Sequence, residues 1–106
     1  MNVEITSRHY DASPRVRDYV NEEMHKLGKF ERLISSCKVI LEKSKEGEIA
    51  EITIHVSGKD LVCSESSDDI IKSIDRAVDN MERQLRKFKG KRYSHNARTT
   101  DSWEVV

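Results

Sequence analysis

The chain is poor in the residues that would place it in several protein classes. It has one proline and four glycines in 106 residues, and no stretch rich in either that would mark a linker between domains. A single compact domain with one core is the expected organisation. Its two cysteines, Cys37 and Cys63, stand 26 positions apart without a Cys-x-x-Cys pair, which excludes a disulfide-dense scaffold and fits a reducing cytoplasm. No apolar run approaches the roughly 18–20 residues of a membrane span, and Met1-Asn2-Val3-Glu4 is not a basic start followed by an apolar stretch. Neither membrane insertion nor secretion is expected.

Catalytic and metal signatures are also missing. His9, His25, His55 and His95 show no metal spacing to a cysteine or to one another, and there is no Gly-rich phosphate loop, Gly-x-Ser-x-Gly or His-Glu-x-x-His. Cys37 and Cys63 share the apolar parity of their segments and read as small core residues. Asp68-Asp69 reads as a helix cap rather than a catalytic carboxylate pair. No enzyme activity, cofactor or metal is expected.

Charge is abundant. The 19 basic and 19 acidic side chains cancel, yet they are segregated. Residues 1–82 hold 12 basic and 17 acidic side chains, whereas residues 83–106 hold 7 and 2, with no acid between Arg83 and Arg98. Such asymmetry points to a contact surface for a polyanion.

The apolar pattern predicts the order β-α-β-β-β-α. Val3 and Ile5 alternate with polar residues in a first strand ending near Arg8. Ser13-Pro14 opens a helix carrying Val16, Tyr19, Val20, Met24 and Leu27 at helical spacing, which Gly28 is expected to end. Cys37-Val39-Leu41 and Ala50-Ile52-Ile54-Val56 form a hairpin about Lys45-Glu46-Gly47, and Leu61-Cys63 continue into a fourth strand past Ser57-Gly58-Lys59. A second helix is predicted from about Asp69 to Lys89. The economical packing is an α+β fold: a four-stranded sheet with both helices on one face, like a double-stranded-RNA-binding domain. The other face, with Glu4, Thr6, Lys38, Glu42, Glu51, Thr53 and His55, is expected to be wet. Residues 1–92 form the domain. Residues from Gly90 onward have few apolar side chains, and 93–106 are expected to be a flexible tail.

On the second helix Lys72, Arg76, Arg83 and Lys87 fall within about 60° of one another, nearly opposite the apolar stripe, with Asp75, Asp79 and Glu82 on one flank. Arg86, Lys89, Lys91 and Arg92 extend the charge beyond. Two readings stay open: a surface that neutralises nucleic-acid phosphates, or a solvated face that complements the helix dipole. The first helix carries a weaker patch of Arg15, Lys26 and Lys29, with Glu22 spaced to pair with Lys26. His9, beside Arg8 and Tyr10, can donate to a phosphate. Splayed bases have no stacked aromatic pair on the sheet to read them.

Ile5-Thr6 with His9, Arg17-Asp18-Tyr19-Val20, Lys26-Leu27, Ala50-Glu51-Ile52-Thr53-Ile54-His55-Val56, Asp60-Leu61, Ile74-Asp75, Asp79 and Arg83-Gln84-Leu85 occur in an order that resembles the ribosome hibernation-promoting factor family, which includes the ribosome-associated inhibitor. The resemblance covers Met1 to about Lys91. It implies a cytoplasmic protein, monomeric when free, whose partners are the small ribosomal subunit and its ribosomal RNA. Such a factor occupies the channel for messenger and transfer RNA and blocks initiation sterically. By the same resemblance Arg17, Lys26, Arg83, Arg86, Lys87, Lys89 and Lys91 stand where family members commonly hold basic residues. Ile71 and Glu23 depart from the tyrosine and lysine that many members carry, and the sequence does not include the separate C-terminal dimerisation domain of long members, so that it is expected to be either a short-type factor or the N-terminal part of a longer one. The alternatives are a general binder of double-stranded RNA and a regulatory module that meets a protein partner.

Overall fold

The computed structural model describes residues 2–94, with side chains through residue 90. Strand β1 (Val3–Arg8) leads into helix α1 (Pro14–Met24), a 3₁₀ segment (His25–Leu33), strands β2 (Ile34–Ser44), β3 (Gly47–Val56) and β4 (Lys59–Ser67), and helix α2 (Ile70–Ser94). The sheet order is β1-β2-β3-β4. β1 runs parallel to β2, a pairing that needs the crossover connection α1 supplies, and the two hairpins make the other pairs antiparallel. The expected α+β architecture is present.

Strand parity builds the core. Cys37, Val39, Leu41, Ala50, Ile52, Ile54, Val56, Leu61 and Cys63 all lie on the helix-covered face, against Val20 and Met24 of α1 and Ile74, Ala77, Val78, Met81 and Leu85 of α2. Burial pushes both thiols up, that of Cys63 to about 11, and Cys63 Sγ donates to Ala77 O at 3.2 Å. They are core groups held in the thiol form. The uncovered face is polar with apolar interruptions, since Ile40 and Ile49 are half-buried on it and Val62 is 49% exposed.

Two helix boundaries differ from expectation. The first α-helix stops at Met24, and the chain winds more tightly through Gly28 to Leu33. The cause is spacing by three: Met24, Leu27, Phe30 and Leu33 recur at the 3₁₀ period, which stacks them on one side. The first three are buried and Leu33 is half-buried. Gly28 therefore ends nothing. The second helix passes through Gly90 to Ser94, beyond the end expected near Lys89. One glycine among Lys and Arg costs a helix only about 1 kcal/mol. The tail expected at 93–106 otherwise lies outside the described residues.

The start of α2 is tied to the sheet. Ile71 N–H donates to the Asp69 carboxylate at 3.0 Å, Ile70 N–H to Glu48 Oε1 at 2.7 Å, and the buried Ser73 hydroxyl to Glu48 O at 2.6 Å. Gly47, at φ +141°, passes so close to Ser67 that a Cβ would sit 2.9 Å from its carbonyl oxygen. These contacts fix where the helix leaves β4 and hence where its far end lies, about 37 Å away.

Candidate nucleic-acid interface

Helix α2 lies over β3 and β4 with its core stripe down, so its polar residues divide between two flanks. On the β4 flank, Arg76, Asn80 and Gln84 follow one another at i,i+4 and reach the open edge of the sheet. Gln84 Nε2 donates to Val62 O at 3.0 Å and to Asn80 Oδ1 at 2.9 Å; Asn80 Nδ2 donates to Glu65 Oε2 at 2.9 Å, and Arg76 Nη1 to Ser66 O at 3.4 Å. An edge strand is a template for unwanted pairing, and these side chains cover its carbonyls. Arg76 is thus partly engaged in the fold. Lys72, one turn earlier, pairs with Asp68 at 3.2 Å and holds that carboxyl below its usual range.

Further along, two cations have no such tie among the described residues. Arg83 and Lys87 are exposed and make no hydrogen bond or ion pair with a described residue. Lys87 shares a groove of about 220 Å³ with Lys59, Leu61, Gln84 and Phe88. Lys59, at the tip of the β3–β4 hairpin, carries no helical spacing that would link it to α2; only the fold brings it there.

The other flank meets the 3₁₀ segment. Lys29 Nζ and Arg86 Nη2 both donate to Glu82 Oε2 at 2.8 Å, and the Lys29 hydrogen bond draws the Glu82 carboxyl down from its ordinary value. Lys29 and Lys89 stand 5.6 and 6.0 Å from the Phe30 ring centroid. Cation–ring contact of this kind contributes about 0.5–1 kcal/mol at an exposed site. Lys29, Arg83, Arg86, Lys87 and Lys89 are thereby gathered around the last described turns of α2, joined by Lys59. Lys91 and Arg92 continue the same helix, with side chains outside the described ones.

Other expected residues lie apart. Lys26 pairs with Glu23 at 2.8 Å, not with Glu22, and this bond raises its pKa. The tighter winding after Met24 changes the register on which the i,i+4 expectation rested. Arg17 is half-buried: its Nε donates to Ala12 O at 3.3 Å and Nη2 to Ser7 Oγ at 3.4 Å, so it braces the β1–α1 connection. His9 is exposed with φ +61°, just past β1. That end of the sheet holds the β2–β3 hairpin and the start of α2, roughly 20–28 Å along the helix from the cationic cluster.

Between α1 and α2 the charge reverses. Tyr19 OH donates to Asp75, which pushes the phenol well above its usual range, and Asp79 lies one turn along. Among the described residues there is no group of three or more His, Cys, Asp or Glu that could hold a metal ion, and no helix long and apolar enough to cross a membrane. The described side chains form three charged regions: a cationic pole, a half-used cationic flank and an acidic seam.

Residues 3–93 match the family model described as Sigma 54 modulation protein / S30EA ribosomal protein. A protein of Haemophilus influenzae named ribosome-associated factor Y is 35% identical over 106 residues, covering 98% of this chain and 99% of that protein. A ribosome hibernation promoting factor of Azotobacter vinelandii is 35% identical over 91 residues, 86% of this chain and 85% of its own. Among solved structures, a ribosomal subunit interface protein from Coxiella burnetii superposes with a TM-score of 0.81 at 26% identity, covering 86% of this chain and all of that one. The N-terminal domain of Protein Y from Thermus thermophilus gives 0.75 at 29%, covering 83% and 99%.

Proposed function

Because the chain belongs to the Sigma 54 modulation protein / S30EA ribosomal protein family, we propose that it is a ribosome hibernation factor. It seats on the small ribosomal subunit in the decoding channel and excludes messenger and transfer RNA by its bulk when growth slows. The observation that carries this reading is the cationic pole, where Arg83 and Lys87 have no partner among the described residues while Lys29 and Arg86 share one carboxylate.

Cations on a phosphate backbone release condensed counterions, so binding is strong at low salt and needs no base reading. That suits ribosomal RNA folded into a channel. The protein does no covalent work. A rigid domain held in the path of transfer RNA lowers initiation by occupancy alone, and the ties between α2 and the sheet supply the rigidity. Arg83, Arg86, Lys87 and Lys89 contact phosphate in this scheme, with Lys29 and Lys59 flanking them, Lys91 and Arg92 continuing the charge, and Lys72 and Arg76 contributing less. Arg17 supports the fold. His9 and Lys26 lie outside the main contact. The relatives' names, which speak of ribosome association, hibernation and the subunit interface, support the same partner and a cytoplasmic setting.

Competition tests the mechanism. Initiator transfer RNA prebound in the P site of purified small subunits should prevent binding of the protein, and excess protein should displace it. Simultaneous occupancy, or equal affinity for a random RNA duplex and for intact subunits, would contradict it.

A further inference from the structure

Away from the cationic pole, a groove of about 590 Å³ runs between the N-terminal half of α1 and the start of α2. Its floor is apolar: Val16, Tyr19 and Ile71 pack on the core from below and remain partly open above. Its rim carries Asp18 and Glu22, both exposed and without a hydrogen bond or ion pair to a described residue. Arg15 is the one cation among the described lining residues. The volume suits one or two side-chain anchors.

An RNA backbone is repelled by such a rim, whereas a Lys- or Arg-rich peptide with an aliphatic or aromatic anchor is attracted by the carboxylates and buries its anchor on the floor. We propose that this groove docks a cationic segment of a protein of the small subunit, so that the factor meets ribosomal RNA with one end and ribosomal protein with the other. The inference rests on the functional reading above for the source of the segment. Proteins that assemble with RNA carry basic arms, which supply the chemistry the groove recognises. The helices set the separation of the two contacts, and the Tyr19–Asp75 bond pins α1 to α2 beside the groove.

The test uses the sign of an effect. In Asp18→Asn with Glu22→Gln, removal of two negative charges should strengthen any contact with RNA. The proposal instead expects binding to purified small subunits to weaken about threefold to tenfold, with thermal unfolding unchanged. A photoreactive phenylalanine in place of Arg15 should then crosslink to a ribosomal protein. Unchanged or tighter binding of the double variant, or a crosslink to ribosomal RNA, overturns the proposal while leaving the functional reading intact. Failure of the unaltered protein to bind small subunits overturns both.

Discussion

The two ends of helix α2 carry polar side chains of opposite purpose. At the start, Asp69, Ser73, Ser67 and Glu48 spend their hydrogen-bonding capacity on one another and on the backbone: Ser73 Oγ lies 2.7 Å from Ser67 Oγ and 2.6 Å from Glu48 O. Around residues 83–89, Arg83 and Lys87 have no described partner, and Lys29 and Arg86 compete for a single carboxylate oxygen. The difference separates anchoring from binding. A group satisfied inside the protein stabilises the fold and has little left for a ligand, whereas a cation left in water keeps its full charge for a phosphate.

Charge reversal at the far end should break this contrast most strongly. Arg83→Glu with Lys87→Glu is expected to weaken binding to small subunits at least about thirtyfold near 0.15 M salt, the counterion-release value of two phosphate contacts. Its unfolding free energy should stay within about 0.5 kcal/mol of the unaltered protein. Filter binding paired with urea unfolding reads both quantities.

The anchored end should respond in the opposite manner. Ser73→Ala removes a buried hydroxyl and leaves Glu48 O short of a donor, so stability is expected to fall by about 1–2 kcal/mol. Binding of the folded fraction should not change. A loss of affinity at constant stability would show that the start of α2 takes part in the contact.

A smaller effect concerns Glu82, whose carboxyl is held below its ordinary value by Lys29. A depressed folded-state pKa means that the ion pairs stabilise the protein above the unfolded carboxyl pKa of about 4.3 and are lost as pH falls through the folded value. Stability should therefore be insensitive to this group from pH 7 to 5 and decline in more acidic solution. Glu82→Gln is expected to flatten that acid limb slightly, as seen in unfolding curves from pH 5 to 2. An identical acid limb in the variant would leave the Lys29–Glu82–Arg86 cluster without a role in stability.

Much of this was legible in the chain. Alternation set the strands and their buried face, and the apolar residues of α2 recur at 3.6, which fixed the outward direction of Arg83 and Lys87. The end of α1 was not legible, because Met24, Leu27, Phe30 and Leu33 satisfy a three-residue period that begins on residues shared with the α-helical pattern. Tertiary partners were also hidden. Arg17 reads as a surface cation until the β1–α1 connection folds back on it, Arg76 until β4 lies beside α2, and Lys59 has no neighbour in sequence that links it to the pole. Periodicity says which way a side chain points; it does not say what waits there.

The most direct test of the segregation is the salt dependence of binding to purified small subunits, compared between Arg83→Ala with Lys87→Ala and Lys72→Ala with Arg76→Ala. The first pair should lower the slope of log affinity against log salt by about two units, and the second by less than one. Equal slopes for the two pairs, or a larger change from Lys72 and Arg76, would contradict the placement of the contact at the far end of α2.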